Sequence, residues 1–230
     1  MADALSLKGV TAGYGETHVL EGIDLSLSEG ESLSIIGRNG VGKSTLLETV
    51  MGHTTLHAGA ISFRGRRIEA VPAHARALAG LGYVPQEREI FPSLSVVENL
   101  QICARPGPWD AARVYELFPH LKGRLANAGT QLSGGEQQML AIALGLNPRV
   151  LLLDEPAAGI PSAESHILLD AIATLPKDIA VLIIEHDMDL VFRFAERITV
   201  LVSGAILAEG APAEIAANRD VRAVYLGNAA

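Results

Sequence analysis

The chain has a single cysteine, Cys103, so no disulfide can form within it, and a reducing compartment suits it. Cys103 reads as a small buried apolar residue rather than a nucleophile. No window comes near the roughly 18 consecutive apolar residues of a membrane-spanning helix. The N-terminus, MADALSLKGVTAGYG, lacks the basic region and apolar stretch of a secretion signal, so none is expected. A basic excess is also missing: 18 Lys and Arg stand against 26 Asp and Glu, a net charge of −8. That balance argues against whole-surface attraction to nucleic acid or anionic lipid, and no nucleic-acid partner is expected. There is no internal repeat and no long low-complexity segment. A cytoplasmic protein is expected, and any membrane role has to come through partners.

What the chain does have is length and apolar content. At 230 residues and 49% hydrophobic it can form one compact domain with a sizeable core. Short strands bounded by glycine are expected at Ala4–Val10 and Ile23–Leu27. Ser32–Ile36 reads as a buried strand that runs into a glycine loop, and Lys43–Met51 as a helix stopped by Gly52. Ala60–Phe63 and Gly82–Pro85 are further short strands. From Ser93 to about Asn147 the pattern turns helical, interrupted by ArgProGlyProTrp at 105–109. Val150–Leu153 and Ala180–Ile184 are unbroken apolar runs; the first ends in Asp154 and Glu155, the second in Glu185 and His186. Ile198–Val202 and Ala205–Ala208 flank Ser203-Gly204, a two-residue hairpin signal, and the tail is polar and helical. Continuous apolar strands separated by helices predict a mostly parallel α/β sheet buried on both faces. The alternating N-terminal strands predict a smaller antiparallel layer.

The loop GRNGVGKST, 37–45, fits Gly-x-x-x-x-Gly-Lys-Ser, a phosphate-binding pattern. Glycines let backbone N–H groups turn inward around phosphate oxygens, and the following helix adds its positive dipole end. Gly37, Asn39, Gly40, Gly42, Lys43, Ser44 and Thr45 are therefore the candidate nucleotide contacts. Lys43 would reach the β and γ phosphates of ATP, and the Ser44 hydroxyl would ligate Mg²⁺. The bland alternative is a Gly-rich turn between strand and helix. Asp154 stands at the C-terminal end of a buried strand, where open α/β sheets bind ligands, and is a second candidate for the metal. Glu155 is the candidate general base that polarises an attacking water. Read alone, the two acids could merely cap a strand. LeuSerGlyGlyGluGlnGln, 132–138, offers a second helix start able to hold an anion, although Ser133 with Glu136 is also an ordinary capping box. One chain has no need of two such starts for one nucleotide. A dimer in which each chain covers its partner's nucleotide does.

LSGGEQQ, with GRNGVGKST before it and VLLLDEP after it, resembles the nucleotide-binding subunit of an ATP-binding cassette (ABC) transporter over nearly the whole chain. The resemblance implies a P-loop ATPase domain over 1–230. Residues 1–86 and 148–230 would be the RecA-like core with its antiparallel layer, and 87–147 an inserted helical subdomain. It implies that Tyr14 stacks on adenine, that Gln86 senses Mg²⁺ and the attacking water, and that His186 contacts the γ-phosphate. It implies that Ser133 and Gly135 act across a dimer on the partner's ATP. The implied partners are a second cassette, identical or paralogous, integral membrane permease subunits and, indirectly, a periplasmic or extracellular solute-binding protein. The implied location is the inner face of the cell membrane.

ValTyrGluLeuPheProHisLeu (114–121), GluGlnGlnMetLeuAlaIle (136–142), GluProAlaAlaGly (155–159) and AlaValTyrLeuGly (223–227) are similar to the ATPases of branched-chain amino acid importers. Amide and urea importers share the look, and the short C-terminus fits, since it leaves no room for a regulatory domain. Three features depart from the family, one of them a shortened segment around Arg105–Trp109. GlyIleProSer, 159–162, has no Asp in the loop after DEP, and AlaIleAlaLeuGlyLeuAsnPro, 141–148, is two residues short of the usual stretch. Two residues turn a helix by about 200°, so that helix is expected to re-register or end early. The leading expectation is an importer ATPase. The alternatives are a non-transport ABC ATPase and a partner subunit with little hydrolysis.

Overall fold

The computed structural model of the chain describes residues 3–104, 110–145 and 148–226, with the backbone alone at 162, 163, 225 and 226. The segment at 105–109 lies outside the described residues. β1 (Asp3–Tyr14) and β2 (Thr17–Ser28) pair as a long hairpin, and β3 (Ser32–Ile36) runs through the glycine loop into α1 (Lys43–Met51). β4 (Thr55–Phe63), β5 (Arg66–Arg67) and α2 (Ala73–Ala79) lead to β6 (Leu81–Val84). Helices follow: α3 (Val96–Cys103), α4 (Ala111–Leu117), α5 (Pro119–Lys122) and α6 (Gly134–Leu144). The chain then alternates through β7 (Val150–Asp154), α7 (Ser162–Ala173), β8 (Ala180–Ile184), α8 (Met188–Phe194) and β9 (Arg197–Val202). β10 (Ala205–Gly210), α9 (Pro212–Ala217) and α10 (Arg219–Leu226) close it.

Among the described residues the strands form two sheets. One is antiparallel, in the order β2-β1-β4-β5; the other runs β10-β9-β3-β8-β7-β6, parallel except for β10 at its edge. Period-two alternation sends the side chains of the central strands to two separate cores. Val150, Leu152, Ala180, Leu182 and Ile184 face the antiparallel sheet and the Leu46, Leu47 and Val50 side of α1. Leu151, Leu153, Val181 and Ile183 face α7 and the helices after β6, including Met139, Leu140 and Ile142 of α6. This two-faced burial is why those runs are continuously apolar.

The N-terminal strands are longer than glycine-bounded runs imply. β1 and β2 continue past Gly9 and Gly22, with register shifts on β1 between Leu7 and Val10 and between Val10 and Ala12. There a glycine marks a bulge, which bends a strand without ending it. β5 is two arginines, and α2 buries Arg76 while its one large apolar residue, Leu78, is exposed, so neither shows an apolar periodicity. Ser203 and Gly204 have φ of 46° and 80°, as a type I′ hairpin turn between β9 and β10 requires. α6 ends at Leu144 against Gly145, and 146–147 lie outside the described residues. Cys103 is only partly buried, because it sits in the last turn of α3 at the edge of a groove.

Candidate nucleotide site

The glycine loop forms where β3 leaves the sheet. Gly37 has no room for a side chain, since a Cβ there would lie 2.5 Å from the Leu201 carbonyl oxygen. Gly42, immediately before α1, has φ of 104°, a conformation that L side chains avoid. The loop therefore folds over the start of α1, with Asn39 and Gly40 exposed at its crest. Lys43 is 6% exposed. Its Nζ donates to the carbonyls of Gly37 at 3.0 Å and Arg38 at 3.2 Å, and lies 3.9 Å from Glu155 Oε1. The ammonium is thus held inside the loop, next to the acid pair that ends β7.

Asp154 falls on the α1 face of the sheet, with Val150 and Leu152, and is 4% exposed. Burial pushes its carboxyl above the ordinary range. The Glu155 charge adds to that, while a hydrogen bond from Ser44 and the charge of Lys43 pull it down. Its Oδ1 is buried with no hydrogen-bond partner. An unsatisfied carboxylate oxygen beside a serine hydroxyl, at the rim of a phosphate loop, fits a hard divalent cation.

Glu155 would point away from Asp154 if the strand ran on. Instead its φ is 44°, a left-handed conformation that costs a non-glycine residue about 1–2 kcal/mol. The turn is fixed by Glu155 N–H donating to Ile184 O at 3.0 Å. It leaves the carboxylate between Lys43 and His186, whose Nδ1 is 3.8 Å from Glu155 Oε2. Gln86, just past β6, is exposed and lines the same cavity of about 380 Å³ as Glu155, Glu185 and His186. Tyr14 ends β1, donates its hydroxyl to Glu48 of α1 and sits 3.4 Å from Thr45 Oγ1. Tyr14 stays 49% exposed beside the loop.

Ser133 and Gly135 lie elsewhere. Ser133 caps α6, and its capping box with Glu136 is formed: Glu136 N–H reaches Ser133 Oγ at 3.2 Å, and Ser133 N–H reaches Glu136 Oε2 at 2.9 Å. α6 packs on the opposite face of the parallel sheet from α1. The two helix starts that the sequence offers to an anion therefore do not converge on one place within a single chain.

Two residues gained no role from pattern alone. Glu185 is 2% exposed, accepts from Ala157 N–H at 2.9 Å and His186 N–H at 3.3 Å, and its carboxyl is pushed up by burial. It holds the backbone of Ala157, two residues past Glu155, and of its own neighbour His186; an acid ending an apolar strand is its only signal in the sequence. Arg88 donates to Ala158 O at 2.9 Å and ties the Gln86 loop to the turn after Glu155. Glu185→Gln keeps an acceptor for Ala157 and removes a buried charge. At neutral pH it is expected to raise stability, by up to about 1 kcal/mol. A raised folded-state pKa means that acidification returns the proton and relieves the native chain, so the gain should shrink as pH falls through that raised value. Urea unfolding at several pH values reads this directly.

A parallel sheet that opens through GRNGVGKST onto a helix, facing an acid pair on a nearby strand end, defines a P-loop ATPase. Residues 20–158 match the family model described as ABC transporter, and residues 205–230 match one described as branched-chain amino acid ATP-binding cassette transporter. The probable branched-chain amino acid transport ATP-binding protein LivF of Archaeoglobus fulgidus is 32% identical, over 95% of this chain and 96% of its own. BraG of Pseudomonas aeruginosa, a high-affinity branched-chain amino acid transport ATP-binding protein, is 34% identical over 97% and 99%. The lipopolysaccharide export ATP-binding protein LptB of Escherichia coli is 35% identical over 97% of each. A nucleotide-free ATP-binding cassette from an ABC transporter superposes with a TM-score of 0.86 at 26% identity, covering 98% of this chain and all of the other. A dimeric bacterial ABC transporter cassette superposes at 0.78 with 27% identity, over 90% of this chain and 98% of the other. The chain belongs to the ABC transporter family, as an ATP-binding ATPase cassette. Such cassettes bind nucleotide, dimerise and work with membrane permease subunits. No helix among the described residues is long and apolar enough to cross a membrane.

Proposed function

We propose that the chain is the ATP-hydrolysing subunit of an importer for branched-chain or related amino acids, docked on permease subunits at the cytoplasmic face of the membrane. The match of residues 205–230 to the branched-chain amino acid model carries the choice of cargo, with LivF and BraG as support. The equal likeness to LptB favours a second reading, export of a lipid-linked cargo. Uptake of labelled leucine, isoleucine and valine by cells lacking the chain separates the two. Loss of uptake, restored by the native chain but not by a Glu155→Gln copy, supports the importer. Unchanged uptake of all three overturns it.

In this reading two chains, identical or paralogous, sandwich two ATP molecules. The placement of α1 and α6 on opposite sheet faces supports it, because the 133–135 helix start is then directed away from the chain's own glycine loop. Lys43 and the loop N–H groups hold the phosphates, and Tyr14 offers its exposed ring to adenine. Ser44, Asp154 and Gln86 would hold Mg²⁺, which supplies charge neutralisation between phosphates when bound. Glu155 takes the proton of the attacking water, and His186 faces the γ-phosphate. The hydrogen bond from Glu155 N–H to Ile184 O holds the base in its turn before the substrate arrives. Residues 87–147 are the unit that moves on closure, coupled to the site through Gln86 and Arg88.

A further inference from the structure

We propose that Glu164 is a built-in competitor for the partner's nucleotide, holding the 133–135 helix start until ATP displaces it. This rests on the reading of Ser133 and Gly135 as contacts for a partner's ATP. Ser133 Oγ donates to Glu164 Oε2 at 3.1 Å. Gly135 lies directly beneath the same oxygen, where a Cβ would come within 2.3 Å. The carboxylate thus holds the Ser133 hydroxyl and lies over Gly135, in the place where the helix dipole favours an anion. An incoming triphosphate seeks the same hydroxyl and N–H groups. One set of donors serves one anion at a time, and two like charges at that range repel. Closure therefore has to break the Ser133–Glu164 contact first. The displaced side chain has somewhere to go, because Glu164 belongs to the first turn of α7 and suits that helix's own positive end. Arg88 approaches Gly134, with a Cβ there 3.2 Å from its Nη1, so a cation remains for the arriving phosphate. The contact acts as a threshold: the lone chain is satisfied, and only a well-filled nucleotide site drives dimerisation.

The test uses the full chain carrying Glu155→Gln, so that bound ATP persists. Light scattering against ATP concentration, with Mg²⁺, gives the midpoint of dimerisation. Adding Glu164→Ala or Glu164→Gln is expected to lower that midpoint about tenfold, the scale of one charged hydrogen bond at a half-exposed site in each half of the dimer. The difference should shrink in high salt. A midpoint unchanged or raised in both variants, while the parent still dimerises, overturns the competitor and leaves the composite site standing. If the parent stays monomeric at saturating ATP and both variants dimerise, the competitor is confirmed in its strongest form. If parent and variants all stay monomeric, the composite site falls, and the competitor with it.

Discussion

Glu155→Gln is expected to lower kcat for ATP hydrolysis by about 10²- to 10⁴-fold, the range over which a positioned general base contributes. The substitution keeps shape and removes both the basic oxygen and the charge. Glu155 is only 17% exposed and stands 3.9 Å from Lys43, so its carboxylate opposes a neighbouring γ-phosphate in a poorly screened setting. Removing that repulsion should tighten ATP binding while hydrolysis stops, so the variant should accumulate as an ATP-bound dimer. Steady-state phosphate release and light scattering with and without ATP and Mg²⁺ read the two effects separately. A variant that still turns over at the native rate would remove Glu155 from the role of base.

Lys43→Ala is expected to fail one step earlier, at binding. The buried ammonium makes two carbonyl bonds and one ion pair inside the loop. Truncating one partner of a buried charge pair costs about 2–5 kcal/mol, which at the phosphate is roughly a 30- to 5,000-fold loss of ATP affinity. Hydrolysis should disappear with it, and no ATP-driven dimer should form. Titration calorimetry measures the affinity, and a thermal melt shows whether the loop still folds. The paired outcomes separate the two residues: the Glu155 variant binds and locks, whereas the Lys43 variant never loads.

Much of this was legible in the chain as a string of residues. The runs Val150–Leu153 and Ala180–Ile184 are apolar at every position because both faces of their strands are covered, and they lie side by side in the parallel sheet. Ser133 announced a capped helix, and the cap is formed with Glu136. The glycine loop announced its strand and helix, and both flank it. The N-terminal strands were harder to bound, because a glycine that ends a strand and one that bulges it look the same until the partner strand is present.

Local order alone thus fixed the phosphate loop, the Asp154-Glu155 pair and the capped helix at 133, since each depends on near neighbours in sequence. Three matters waited for the tertiary structure. Glu155 reaches Lys43 and His186 only through a left-handed turn, and its clasp on Ile184 comes from another strand. Glu185 accepts the N–H groups of Ala157, 28 residues away in sequence, and of its neighbour His186. Glu164 covers a serine 31 residues before it, across the contact between two helices. Such pairings carry no periodicity and no spacing rule. They exist because burying both faces of one sheet brings distant strand ends and helix starts within hydrogen-bond reach.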